Sequence, residues 1–94
     1  MALQNRPNPF TDVTTVEFVL PESCTGQLRV FDATGKEWLR LDKSWPAGRN
    51  TEILRLEARG ASGVLYGELI TPFGAETVRM LRLREYHVER PYGF

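Results

Sequence analysis

Turn residues divide this sequence into short runs in which apolar and polar side chains alternate. The first run covers residues 13–20, where Val16, Phe18 and Leu20 fall on one face of a strand and Thr15 and Glu17 on the other. Further short strand-like runs follow at a spacing of about 8–12 residues, which is typical of an all-β sandwich. They cover residues 27–31, 36–41, 51–56, 64–70 and 76–83.

We therefore predict an all-β fold, an immunoglobulin-like antiparallel β-sandwich of about six to seven short strands. A small barrel is the alternative that the pattern allows. Residues 27–41 are predicted to form a hairpin around Asp32-Ala33-Thr34-Gly35, and residues 44–50 a loop. The nearly continuous apolar run 64–70 predicts a central strand. In the last run the alternation changes phase at Met80-Leu81, which predicts either a bulge or burial of both faces.

Composition limits the classes of function. The 94 residues are predicted to form a single domain, 1–94, with 85–94 as an extra strand or a tail. The formal net charge is +0, from 12 basic and 12 acidic residues, so no broad field attracts nucleic acid or an anionic membrane. No apolar run approaches the ~20 residues of a transmembrane segment. Cys24 is the single cysteine, so no disulfide within the chain is expected.

The residues that usually carry catalysis do not form a spaced constellation. The single histidine, His87, has no cysteine, serine or carboxylate partner at a motif spacing, so we predict no enzyme activity, no cofactor and no metal. A calcium site is one alternative, although none of the predicted turns or loops has the sequence of a calcium-binding loop. Its candidate ligands are Asp12, Asp32 and Asp42. A carbohydrate-binding platform of aromatic side chains is a second alternative, and its candidates are Trp38, Trp45, Tyr66 and Tyr92.

Four short blocks occur in a fixed order along residues 5–84. They are Pro-Asn-Pro-Phe at 7–10 before a strand that ends in Leu-Pro, Val-Phe-Asp-Ala-Thr-Gly at 30–35, Pro-Ala-Gly at 46–48, and Ser-Gly-Val-Leu-Tyr at 62–66. This order resembles the type A C-terminal sorting domain of the bacterial type IX secretion system, with Leu65 inserted in the last block. The same blocks also occur in the immunoglobulin-like domain of the flagellar hook-capping protein. In the sorting family the chain usually ends soon after the last strand, whereas residues 85–94 follow here.

The resemblance implies an immunoglobulin-like sandwich at the end of an exported protein of the Bacteroidota. Such a domain passes through the periplasm, binds type IX translocon components and carries an upstream cargo domain to the cell surface or the medium. A sortase-like cysteine protease then removes it and attaches some cargoes to a surface glycolipid. The residues that match the family signature are Pro7, Asn8, Pro9, Phe10, Asp32, Gly35, Gly48, Gly63 and Tyr66.

The last strand is our predicted docking surface, because a sheet edge can pair with a receptor through its main chain. Its candidate docking residues are Arg79, Arg82 and Arg84. The alternative is that these arginines only solvate an outer face. Residues 7–10 are predicted to form a packed lid, with Phe10 closing the end of the sandwich. The alternative function is a structural or adhesive immunoglobulin-like interaction module of a cell-surface or extracellular protein. This alternative includes self-association through an edge strand, for example as a homodimer.

Overall fold

A computed structural model describes residues 1–56 and 62–83. These residues form seven β-strands. This part of the chain has no helix that could cross a lipid bilayer. The strands are β1 (Gln4–Arg6), β2 (Val13–Leu20), β3 (Cys24–Asp32), β4 (Glu37–Trp45), β5 (Gly48–Arg55), β6 (Gly63–Thr71) and β7 (Gly74–Arg82).

The strands form two antiparallel sheets, with the order β1-β2-β5 in the smaller and β4-β3-β6-β7 in the larger. In immunoglobulin-like sandwiches, strands A, B and E belong to one sheet and strands C, F and G to the other. Strands β1, β2 and β5 correspond to the first set, and β3, β6 and β7 to the second. Here β4 joins the larger sheet beside β3. The predicted immunoglobulin-like antiparallel β-sandwich is confirmed. The barrel alternative is wrong, because the described strands form two separate sheets with free edges.

The core lies between the sheets and is built by the alternation of each strand. In β2 the inward side chains Val16, Phe18 and Leu20 are buried, as predicted. Phe18 meets Trp45 of β4 edge to face, with ring centroids 5.2 Å apart. Each fully buried side chain of this size contributes about 1.5–3 kcal/mol of transfer free energy. The buried apolar residues are Phe10, Val16, Phe18, Leu20, Leu28, Val30, Trp45, Leu54, Leu65, Leu69 and Met80.

The predicted hairpin of residues 27–41 is confirmed as the pair β3–β4, and β6 lies between β3 and β7, as predicted for a central strand. The predicted loop 44–50 is too long. Strand β4 continues to Trp45 because its ring enters the core and its Nε1 donates to Glu52 at 2.7 Å. Strand β1 was not predicted, because its central inward residue is the polar Asn5 rather than an apolar side chain.

The predicted phase change in the last strand does not occur. Strand β7 pairs with β6 without a register shift, from Gly63↔Arg82 to Thr71↔Gly74. Met80 faces the core, Leu81 is 39% exposed on the outer face and Arg82 is only 4% exposed. Both explanations, a bulge and burial of both faces, are therefore wrong. The inward position after Met80 is occupied by a buried arginine instead of an apolar residue.

Candidate docking surface at the last strand

Residues 7–10 lie along the free edge of β7. The Phe10 N–H donates to the Leu81 carbonyl at 3.0 Å, and the Leu83 N–H donates to the Phe10 carbonyl at 2.7 Å. The Asn8 side chain extends this pairing by accepting from the Leu81 N–H at 3.0 Å and donating to the Arg79 carbonyl at 3.1 Å. A side-chain amide offers one acceptor and a donor group, as a peptide group does, so Asn8 acts here as a strand residue would.

A buried polar cluster holds this segment in place. The Asn5 amide donates to the Thr14 hydroxyl at 3.1 Å, and that hydroxyl donates to the Pro7 carbonyl at 3.0 Å. Asn8 in turn donates to the Asn5 side-chain oxygen at 3.2 Å. Asn5 and Thr14 are both buried, and no buried side-chain nitrogen or oxygen of the described residues lacks a partner. A fully satisfied network of this kind fixes one arrangement of the chain.

Phe10 carries the apolar part of the attachment. Its side chain is 3% exposed and belongs to the core cluster, so the predicted packed lid is confirmed for this residue. Pro7, Asn8 and Pro9 lie at the surface. The first of the four sequence blocks therefore joins the start of the chain to the last strand of the described fold.

The three predicted docking arginines have different surroundings. Arg82 is buried: its Nε donates to the Thr11 carbonyl at 2.6 Å and its Nη2 to Asp12 at 3.1 Å. The prediction that it is an exposed docking cation is therefore wrong. Arg79 is exposed on the outer face of the larger sheet, directly opposite Tyr66 of β6. Arg84 lies outside the described residues, as do His87, Tyr92 and the rest of 85–94.

The other half of the β7 edge carries no such attachment. In an antiparallel strand, main-chain groups point alternately to the two sides. Since the groups of Leu81 point away from β6, those of Ala75, Thr77 and Arg79 point the same way. Within the described part of the chain, the only hydrogen bond to these groups is that from Asn8 to the Arg79 carbonyl. We name residues 75–79 the open edge of β7.

Tyr66 lies on the outer face of the larger sheet. Its ring stacks on Phe31 with centroids 5.6 Å apart, and the Arg29 guanidinium lies 4.4 Å from the Phe31 ring centroid. Arg29 also donates to Glu68 at 2.7 Å, and this hydrogen bond raises the pKa of Arg29 above its usual range. The signature tyrosine thus contributes to a polar and aromatic surface beside Arg79.

The second block forms the turn between β3 and β4. The Asp32 carboxylate accepts from the Thr34 N–H at 2.9 Å, the Lys36 N–H at 3.0 Å and Trp38 Nε1 at 2.9 Å, as well as from the Thr34 hydroxyl. The Thr34 hydroxyl, followed by Trp38, lowers the pKa of Asp32 to about 2. Gly35 has a φ of +89°, which this turn requires. The prediction that Asp32 braces its own turn is confirmed.

The third and fourth blocks also lie where strands begin. Gly48 begins β5 with a φ of +96°, and the Asn50 amide donates to the Pro46 carbonyl at 2.9 Å across the short connection from β4. Gly63 begins β6 with a φ of +88°. Each of these two glycines therefore adopts a positive φ, which a residue with a side chain rarely does.

Glu76 of β7 is a contact that the sequence did not reveal. Its carboxylate accepts from the Leu3 N–H at 2.6 Å and from the Met1 amino group at 3.2 Å. The hydrogen bond from Leu3 is the main reason that the pKa of Glu76 is lowered. Glu76 and residues 7–10 together attach the first twelve residues to β7. The partners are more than seventy residues apart, so no local pattern marks the contact.

The alternative sites of the sequence do not assemble. Among residues 1–56 and 62–83, no group of three His, Cys, Asp or Glu side chains is placed to hold a metal ion. Trp45 is buried, so it cannot take part in an exposed carbohydrate platform, whereas Trp38 and Tyr66 are half-buried and Tyr92 lies outside the described residues. Cys24 is half-buried at the start of β3.

Comparisons with known proteins add no family assignment. No protein-family model matches the chain, and no curated protein matches it. A functional interpretation therefore depends on the order of the four blocks and on the contacts that they make in the fold.

Proposed function

We propose that this chain is a non-catalytic sorting domain that directs an exported parent protein through the bacterial type IX secretion system. The parent would be a protein of the Bacteroidota, in transit through the periplasm and then at the cell surface or in the medium. Its partners would be translocon components, a sortase-like cysteine protease and the covalently joined upstream cargo domain.

The observation that carries the proposal is the four-block order of the family on an immunoglobulin-like sandwich. Each block has a defined role in this fold. Residues 7–10 attach to β7, residues 32–35 form the β3–β4 turn, residues 46–48 connect β4 to β5, and residues 63–66 start β6. Because the blocks are separated in sequence but fit one architecture, their joint occurrence is more specific than any single block.

Docking is proposed at β7. It is an edge strand of the larger sheet, it exposes Arg79, and its open edge presents main-chain groups that have no partner among residues 1–56 and 62–83, apart from the Arg79 carbonyl. A receptor strand adds to such an edge through main-chain hydrogen bonds, while side chains next to the edge provide selectivity. Because residues 7–10 occupy the Leu81 end of the β7 edge, we propose residues 75–79 as the docking surface.

The experiment fuses residues 1–94 to a reporter that carries a secretory signal peptide, in a bacterium that has the type IX system. We expect the reporter in the medium or on the cell surface, and retention in the periplasm when the system is disabled. A reporter that stays periplasmic in the competent strain, although the domain is folded, would rule out the sorting function.

A matched pair of variants tests the docking surface separately. Arg79→Glu reverses an exposed charge on β7, and Arg55→Glu reverses an exposed charge on β5. We expect the first to reduce export and the second to leave it unchanged, with both domains equally stable. Equal export of the two variants would place docking elsewhere on the domain.

The alternative is a structural or adhesive module of a cell-surface or extracellular protein. The observation that favours it is the same open edge, since an unpaired strand edge is a template for association. In that case the fused reporter would stay in the periplasm while the isolated domain would associate with a binding partner.

A further inference from the structure

The open edge of β7 has two well-defined ends. At one end the chain turns away at residues 72–73, and at the other the Asn8 side chain occupies the Arg79 carbonyl. Between them lie the outward main-chain groups of Ala75 and Thr77 and the N–H of Arg79. A run of unpaired N–H and C=O groups is a surface that another strand can join. The question is which strand fits a segment of this length.

A second copy of the same segment fits it in an antiparallel arrangement. When Thr77 lies opposite Thr77 of the other copy, Ala75 falls opposite Arg79, so the outward groups of both edges face one another. The two threonines then exchange a pair of main-chain hydrogen bonds. In addition, each Arg79 N–H is placed to donate to the Ala75 carbonyl of the other copy. The Asn8 contact at the Arg79 carbonyl stays in place.

The side chains of this arrangement are also complementary. Arg79 lies opposite the small Ala75, and no like charges face each other. The pairing does not extend to Leu81, because Asn8 and Phe10 of the same molecule already bond its main-chain groups.

We infer that two copies of this chain associate through their open edges, with Thr77 on the two-fold axis, so that the two larger sheets form one continuous sheet. The inference concerns the chain by itself and does not depend on the sorting function.

The other long free edges of the fold are less suited to this pairing. The edge strand β4 carries Arg40, Asp42 and Lys43, all exposed, and the edge strand β5 carries Arg49 and Arg55, both exposed. Charged side chains along an edge are a common way to prevent strand addition.

In the open edge of β7 the acidic residue does not serve this purpose. Glu76 is half-buried and its carboxylate accepts from the Leu3 N–H at 2.6 Å within its own molecule. Its charge is therefore engaged away from the approaching copy. The single exposed charge on this segment, Arg79, stands at its end.

An interface of one short strand pair is small, so the dimer is expected to be weak and concentration-dependent. Sedimentation of the 94-residue chain from low micromolar to near-millimolar concentration tests this directly. We expect the average mass to rise towards that of a dimer. Over the same range, the amide protons of Thr77 and Arg79 should become protected from exchange with solvent. A monomer throughout, or a dimer in which these amides stay unprotected, would overturn the inference.

A proline variant tests the register. Thr77→Pro removes an N–H that points away from β6, so the ladder within the monomer is kept while the bonds across the axis are lost. Arg40→Pro is the matched control, because by the same alternation the Arg40 N–H points away from β3 at the opposite edge of the sheet. We expect loss of the dimer in the first variant only. A folded Thr77→Pro variant that still dimerises as the wild type does would refute the proposal.

A charge variant keeps the test decisive if the proline variant does not fold. Thr77→Lys places two like charges opposite each other at the axis, which should weaken dimerisation several-fold at low ionic strength. Added salt should then restore part of the affinity. Dimerisation that is unchanged by this substitution at low salt would contradict the pairing through Thr77.

Discussion

The substitution Phe10→Ala tests whether the N-terminal segment closes the sandwich. The Phe10 side chain is 3% exposed and packs in the core cluster, although it lies outside the seven strands. A phenylalanine buries roughly 150–250 Å². At about 25 cal/mol per Å² this corresponds to about 4–6 kcal/mol as an upper estimate. Measured Phe→Ala changes in cores are about 3–5 kcal/mol, and we expect a loss in that range.

Such a loss is large for a chain of this size. A domain of 94 residues has a free energy of unfolding of roughly 5–14 kcal/mol. The melting temperature should therefore fall by more than about 12 °C. Phe73→Ala is the matched control, because Phe73 is 42% exposed in the β6–β7 turn and its loss should cost within about 0.5 kcal/mol. Urea titrations of both variants at dilute concentration, where the chain is monomeric, provide the measurement. If the two variants were equally stable, the lid would be disproved.

Three further predictions concern the polar contacts. Asn8→Ala removes both side-chain hydrogen bonds to the β7 edge. We expect the free energy of unfolding, measured by urea titration, to fall by about 1–2 kcal/mol. An unchanged free energy would mean that water fully replaces the two bonds. Arg82→Met keeps the buried stem but removes the bonds to Thr11 and Asp12, so it should cost about 1–3 kcal/mol; a cost no larger than that of Arg79→Met would contradict the contacts. The pKa of Asp32 is lowered from 3.8 to about 2 in the folded chain. Its contribution to the free energy of unfolding is therefore complete above pH 3.8 and is lost as the pH falls from there to about 2. Stability measured from neutral to strongly acidic pH should decline less steeply for Asp32→Asn, and identical profiles would refute this contribution.

Local sequence pattern was sufficient for the parts of the fold whose contacts are close in sequence. The alternation of residues 13–20 identified both β2 and its inward residues Val16, Phe18 and Leu20. The turn at Asp32 and Gly35 followed from side-chain and backbone preferences within four residues. These features depend on geometry that a short segment determines by itself.

Features that depend on distant partners were not predicted. Arg82 interrupts the apolar phase of β7, and a charged residue in a strand usually faces solvent, so the pattern suggested a bulge or burial of both faces. Its burial is explained by Thr11 and Asp12, some seventy residues away. The pairing of Asn8 with β7 was hidden for the same reason. Pro7 and Pro9 have no main-chain N–H, so the side chain of the asparagine between them is the remaining donor group that stands out in the sequence.

The site shows the same division between local and distant contacts. The sequence indicated the last strand as an edge with exposed arginines, and β7 is an edge strand with Arg79 exposed. It did not indicate that residues 7–10 cover one half of that edge, so that within the described part of the chain its unpaired main-chain groups lie at residues 75–79.

Residue-resolved amide exchange in dilute solution tests the central structural claim most directly, namely that the N-terminal segment covers one half of the β7 edge and leaves the other half open. The Leu81 and Leu83 amides donate to Asn8 and Phe10, whereas the Thr77 amide points away from β6 and has no hydrogen bond among the described residues. We predict strong protection at Leu81 and Leu83 and fast exchange at Thr77. Fast exchange at all three amides, or equal protection of all three, would contradict the account.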